Sequence, residues 1–249
     1  MPTPTVYLTT AVLALMPAAG IAQTKVFPLD SPNGITLHNL NAAPVTFKGK
    51  KALKLTSSLP PPPAGNPGAK KGGGKKGGGP AGEGPRAEHL AVAGGVEFGN
   101  GTIEVDLTGE PGPGAAGGAR GFVGVAFRVQ PDLSTYDCFY VRPTNGRAED
   151  QERRNHTAQY VSHPGFPWFK LREETPSKYE SYVDIGPAEW IRLKIDVEGD
   201  KARLFVNGNS QPTLIVNDVK SGAPAKGGVA LWIEGSTIAH FANLKIAAR

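Results

Sequence analysis

Between Gly121 and Ile246 the chain alternates apolar and polar residues with period two, and Gly- and Asn-Gly-rich turns interrupt it. Such alternation is the signature of half-buried strands and excludes a helical fold. Phe122–Gln130 sets Val123, Val125, Phe127 and Val129 on one side, with Phe122, Gly124, Ala126 and Arg128 on the other. Upstream, Gly101–Thr108 alternates Ile103, Val105 and Leu107 against Thr102, Glu104 and Asp106. Trp190–Glu198 turns Ile191, Leu193, Ile195 and Val197 inward, a turn at residues 198–200 leads into Lys201–Val206, and Asn207-Gly208 marks a hairpin. Gly228–Glu234 and Ile238–Ile246 close the series. Before it, Ile35–Leu40 and Lys51–Thr56 read as two short strands joined by a turn at residues 48–50. Period-two patterning at this density predicts two antiparallel sheets packed face to face.

Two segments stand apart from this pattern. Residues 1–22 read as a secretory leader: an apolar run from Val6 to Met16, then a helix break and a small-residue cleavage site up to Ala22. Residues 59–86 form an insertion that opens on four prolines and continues in Gly and Lys, a composition that cannot bury apolar surface. One β-sandwich domain over residues 23–249 carrying that insertion is therefore expected, exported to the periplasm or secreted, with no transmembrane segment. The net charge is +5, but Lys70, Lys71, Lys75, Lys76 and Arg86 against Glu83 place +4 of it in the insertion. A nearly neutral body argues against a nucleic-acid-binding face; the tract itself could hold an envelope polyanion. Cys138, the only cysteine, lies inside a strand and reads as a packing residue.

The patterns of Trp190–Gly199, Ala202–Gly208, Gly227–Trp232 and Phe241–Ile246 together resemble the concanavalin A-like lectin/glucanase superfamily. Within it, they look most like the laminin-G-like and 3-keto-disaccharide hydrolase domains of secreted bacterial proteins. The resemblance implies an all-β jelly-roll sandwich of two antiparallel sheets. It is specific for fold and weak for chemistry, since such folds host lectins, hydrolases and lyases.

Parity then nominates side chains. With Phe139 and Val141 in the core, Tyr136, Cys138, Tyr140 and Arg142 face the other way, and Arg128, Trp232 and Glu234 should share that side. A sugar offers an apolar C–H face and a rim of hydroxyls, so aromatic rings beside charged hydrogen-bonding groups suit it. A concave groove carrying Arg128, Tyr140, Arg142, Trp232 and Glu234 is expected to bind carbohydrate. The polar stretch 144–163, read as a loop beside the groove, adds Asn155 and His156. An ordinary solvated sheet face with balanced charges is the competing reading of the same residues.

Chemistry stays open at this level. Retaining β-glucanases of the superfamily carry Glu-x-Asp-x-(x)-Glu on one strand; Glu104 and Asp106 match, but Thr108 and Gly109 stand where the last Glu belongs, and Glu110 comes one step later. A glucanase dyad, which needs two carboxyls about 5 Å apart, is thus incomplete. The family resemblance implies instead a 3-keto-glycoside hydrolase or lyase; such chemistry needs a base for the proton beside the keto group and a cation for the enolate, for which His156, Glu180 or Glu234 and Arg142 or Arg154 are the candidates. No cofactor is expected. The superfamily often holds a structural Ca²⁺, for which Asp106, Asp184 and Asp218 are available, but no Asp-x-Asp loop singles them out, and the seven-residue spacing of His156 and His163 is no metal signature. Carbohydrate binding without chemistry leads, the keto-glycoside enzyme is the alternative, and an envelope adhesion protein is a third class.

Overall fold

The computed structural model describes Met1, residues 23–60 and residues 87–249. The proposed leader and nearly all of the Pro/Gly/Lys insertion therefore lie outside the described residues. Among the described residues fifteen strands follow one another: β1 (Gln23–Phe27), β2 (Ile35–His38), β3 (Leu40–Phe47), β4 (Lys50–Ser57), β5 (Leu90–Ala93), β6 (Gly101–Pro111), β7 (Val123–Val129) and β8 (Tyr136–Val141). A 3-10 turn (Pro143–Asn145), helix α1 (Gln151–Asn155), β9 (Ala158–His163), helix α2 (Trp168–Glu174) and β10 (Glu180–Ser181) make the polar crossover. The chain ends in β11 (Ile191–Glu198), β12 (Lys201–Val206), β13 (Leu214–Val216), β14 (Gly228–Ile233) and β15 (Thr237–Ala248).

These strands form two antiparallel sheets, the jelly-roll sandwich anticipated above. The first sheet runs β13-β12-β11-β6-β15-β4-β3, with β1 on the second half of β15; the other runs β10-β9-β8-β7-β14-β5-β2. Directly paired residues face the same side, so Leu193↔Val105 and Ile195↔Ile103 send one apolar set inward from the first sheet. Val125, Phe127, Phe139, Val229 and Leu231 answer from the second, and both sets belong to one buried core. Burying side chains of this size contributes about 1.5–3 kcal/mol each. Among the described residues no helix is long and apolar enough to cross a membrane.

Three differences from the sequence reading have local causes. The stretch 144–163 is not one loop: it contains α1 and, from Ala158, a central strand. That strand is buried on both faces, so the alternation that marks half-buried strands is absent. Leu40–Phe47 is a strand despite Pro44, because β3 lies at the sheet edge, where a missing N–H is tolerated. The turn of the β3–β4 hairpin is accordingly Lys48-Gly49.

The first sheet buries a histidine on its outer face. His240, 5% exposed, stacks on Phe47 at 3.9 Å between ring centres, and its Nδ1 lies 3.1 Å from the Thr108 hydroxyl. Burial, with Lys54 adding to it, lowers the imidazole pKa to about 4. The unfolded chain therefore takes up this proton near pH 6.5 while the folded protein does not, so stability drains as pH falls from 6.5 toward 4. The expected loss is about 3 kcal/mol. Urea unfolding of wild type and His240→Gln at pH 7 and pH 4.5 checks this: the variant should lose less stability than wild type over that interval.

Candidate functional site

One row of residues crosses the second sheet at right angles to its strands. Leu90 pairs Trp232, Trp232 pairs Gly124, Gly124 pairs Tyr140, Tyr140 pairs Gln159, and Gln159 pairs Glu180. All therefore project from the face away from the main core. At the strand spacing, Trp232 and Glu180 stand about 19 Å apart. The row grades from apolar to charged, which gives this face a greasy end and a polar end.

Gly124 makes the apolar half possible. A Cβ there would come within 2.2 Å of the Phe139 carbonyl oxygen and 2.6 Å of Tyr140 Cα. Over this missing side chain the rings of Tyr140 and Trp232 approach to 5.0 Å. Trp232 Nε1 donates to the Tyr136 hydroxyl at 3.1 Å, and that hydroxyl donates to Glu88. Burial, then the neighbouring Glu88 charge, drives the Tyr136 pKa far up, so it stays a donor. Gly124→Ala is expected to cost about 1–3 kcal/mol, since backbone rather than a flexible side chain must give way; chemical denaturation measures it, and a loss below 0.5 kcal/mol would refute the close fit.

The side these aromatics occupy is the one parity predicted, but they do not form an open platform. Tyr140 and Trp232 are each 3% exposed and join Leu90, Ala126, Cys138 and Val161 in a second buried cluster. Cys138 is thus a packing residue. Toward Tyr136, this face ends in a cleft of about 530 Å³ bordered by Tyr136, His163, Phe166 and Lys220.

The polar end is a dense charge cluster. Arg142, on the residue after β8, donates to the Tyr140 hydroxyl at 2.9 Å, to Gln159 Oε1 at 3.1 Å and to the His156 carbonyl at 2.7 Å. Its guanidinium lies 5.0 Å from the Tyr140 ring centre and 3.6 Å from Glu180 Oε1. Arg172, from α2, grips both Glu180 oxygens, the Nε contact at 2.9 Å, and covers the Trp168 ring at 4.7 Å. His156, at the C-terminal cap of α1, brings Nδ1 to 2.9 Å from Glu180 Oε2. Burial lowers the His156 pKa; the Glu180 charge opposes that, while Arg172 and Arg142 add to the lowering. The imidazole is therefore neutral at pH 7.

Unsatisfied atoms concentrate here. Among the described residues, five buried side-chain polar atoms lack a hydrogen-bond partner, and three are Arg154 Nε and the two ring nitrogens of His156. The Glu180 carboxylate stands 2.9 Å from Nδ1, so the ring nitrogen left open is Nε2. Native proteins satisfy nearly all buried polar groups, so such a concentration calls for an explanation. Arg154 reaches Tyr182, donating to its hydroxyl at 3.0 Å, just as His156 reaches Glu180; these two targets alternate onto one side of the chain. A neutral base and a cation with an unused donor thus sit two residues apart at the end of α1.

Other predicted residues lie elsewhere. Arg128 is turned away from the Tyr140 face. It sits at a bulge where the β7–β14 register shifts, with φ +55°, and donates to the carbonyls of Gly99, Gly199 and Gly222 and to Ser221 Oγ. The bulge also moves Val129 out of the main core and into the second cluster. Asn155 is exposed on α1, its Oδ1 taken by Gln151. Glu234 follows β14 and accepts from the Ser236 backbone N–H at 3.0 Å. Of the seven nominated residues, Tyr140, Arg142 and His156 meet at the polar end, and Trp232 adjoins them through Tyr140. Gln159 and Glu180 complete the row, and Arg172 was not among the nominated residues; an arginine on a short amphipathic helix gives no sequence signal.

Glu104 and Asp106 belong to β6 of the other sheet, so the partial glucanase motif is remote from this cluster. The three aspartates considered for calcium are engaged by cations: Asp106 by Lys50 and Arg192, Asp184 by Arg147, and Asp218 by Lys178 and Lys220. Among the described residues no three His, Cys, Asp or Glu side chains converge as a metal site.

Comparison with known proteins agrees with the architecture. Residues 67–247 match the family model of a 3-keto-alpha-glucoside-1,2-lyase-like domain. A Bacillus subtilis protein of unknown function with a galectin-like fold superposes with a TM-score of 0.53 at 13% identity, covering 90% of this chain and 96% of that one. The carbohydrate-binding module CBM66 of Bacillus subtilis gives 0.49 at 15% identity, over 86% and 96% of the two chains. The Bacillus licheniformis β-glucanase gives 0.45 at 14% identity, over 91% and 98%. At these identities only the fold is shared, and the last two scores carry no argument. Among curated proteins none matches the sequence.

Proposed function

Because the chain belongs to the family of 3-keto-alpha-glucoside-1,2-lyase-like domains, we propose that it eliminates the substituent at C1 of a 3-keto-glucoside held at the polar end of the second sheet. The observation that carries this reading is that His156, neutral and faced at Nδ1 by Glu180, keeps its Nε2 without a hydrogen-bond partner, as Arg154 keeps its Nε donor. In a 3-keto sugar the hydrogen on C2 lies beside the ketone and is acidified. His156 takes it as general base, and Arg154 holds the enolate oxygen that develops at O3. When the enolate collapses, the C3 ketone re-forms, a C1=C2 double bond appears and the C1–O bond breaks. The imidazolium returns the proton to the leaving oxygen, so protons and charge balance. Glu180 positions the imidazole, while burial and the charges of Arg172 and Arg142 keep it unprotonated against the pull of Glu180.

Incubating the purified protein with a 3-keto-glucoside, with and without divalent metal, and following release of the C1 alcohol is the direct test. Release above the spontaneous rate supports the lyase; its absence under both conditions overturns it. Retention on a carbohydrate affinity gel without turnover would instead indicate a binding module, a reading favoured by the remoteness of Glu104 and Asp106 from this face. Export through cleavage after residue 22 is part of the proposal, and N-terminal sequencing of the mature protein decides it.

A further inference from the structure

The outer face of the first sheet holds a second polar cleft, of about 270 Å³, lined by Lys50, Asp106, Trp190, Arg192, Asn207 and Gly208. Asp106 is 3% exposed and is already filled with donors: Arg192 Nε at 3.0 Å on Oδ1, and Lys50 Nζ and Asn243 Nδ2, each at 2.9 Å, on Oδ2. Burial alone would raise this carboxyl, but those hydrogen bonds outweigh it and hold it ionised. Its work is orientation. With Nε committed, the Arg192 guanidinium is fixed in plane, and its two terminal nitrogens have no acceptor among the described residues. The Arg192 side chain is 60% exposed. Asn207 spends its Oδ1 on the Arg192 backbone N–H at 3.0 Å, which leaves its amide hydrogens for the cleft. Lys50 lies 4.9 Å from the Trp190 ring centre, and Trp190 Nε1 is spent on the Phe47 carbonyl. The cleft thus offers donors and an aromatic wall, with two cations against one carboxylate.

We infer that this cleft binds a sugar carboxylate, a hexuronate, with the acid group on the Arg192 fork and the ring carbons along Trp190. Paired N–H groups in one plane suit a carboxylate, and an indole wall suits the C–H face of a pyranose. The volume is several times the roughly 30 Å³ share of one water, which leaves room for more than a bare inorganic anion. The site lies on the opposite sheet from His156 and does not depend on the proposed elimination.

Calorimetric titration of the full chain with glucuronate, glucose and inorganic sulfate tests the inference. Glucuronate should bind at least tenfold more tightly than either control. Arg192→Gln, which keeps a donor beside Asp106, should weaken it at least tenfold while retaining the wild-type circular dichroism spectrum and leaving 3-keto-glucoside turnover unchanged. His156→Gln should bind glucuronate as wild type does. Sulfate binding as tightly as glucuronate would reduce the cleft to an anion site and overturn the sugar assignment. Absence of glucuronate binding, its persistence in Arg192→Gln, or its loss in His156→Gln would each overturn the location.

Discussion

Replacing His156 with Gln is expected to lower 3-keto-glucoside turnover about 10²–10⁴-fold, the range for loss of a positioned general base. Glutamine keeps the volume and a hydrogen-bonding end but cannot accept the C2 proton. The pH profile carries a separate signature. Since burial and the two arginines lower the His156 pKa from 6.5, wild-type kcat/KM should be flat near neutrality and fall only on an acidic limb below pH 6.5. Arg172→Gln removes one of the charges that lower it, so the limb should move upward in pH. A merely structural role for Arg172 would reduce the rate without moving the limb. Arg154→Met should lower kcat by about 10²–10³-fold, as for removal of an oxyanion donor. Steady-state kinetics on the three variants read all of this, and a His156→Gln enzyme within threefold of wild type would remove the imidazole from the mechanism.

Legibility in the sequence followed burial. Strands with one buried face, such as Ile191–Glu198, alternate visibly because water on the other side selects polar residues. The orientation of Tyr140 and Trp232 followed from the same parity. Their burial did not, because alternation reports which side a residue takes and not what lies above that side. The row from Trp232 to Glu180 depends on register among five strands, and no local pattern encodes register between Tyr140, Gln159 and Glu180. Glu180 sits in a two-residue strand whose only signal is its pairing. The Arg128 error has a sharper cause. Bulge positions in left-handed conformation are usually marked by glycine, whereas here the unmarked arginine adopts φ +55° and resets the alternation for Val129.

That same residue gives the largest expected stability effect: Arg128→Met should cost about 3–5 kcal/mol, the range for removing one partner of a buried charge network. The guanidinium is 1% exposed and makes five contacts: two with the Gly99 carbonyl, at 3.1 and 2.9 Å, and one each with Ser221 Oγ at 3.0 Å, the Gly222 carbonyl at 2.8 Å and the Gly199 carbonyl at 2.7 Å. Gly99 precedes β6 and Gly199 lies in the β11–β12 turn, so a side chain of the second sheet pins loops of the first. Ser221 passes the network on to Asp137, which is fully buried and also accepts from the Tyr160 hydroxyl at 2.6 Å. Met fills the space but leaves three carbonyls without this donor and Asp137 without a compensating cation. Lysine, a single point donor in place of a planar fork, should recover only part of the loss. Urea unfolding with an unchanged m-value would report the difference as stability alone. If Arg128→Met cost less than 1 kcal/mol, the two sheets would be held at this end by apolar packing and not by the arginine.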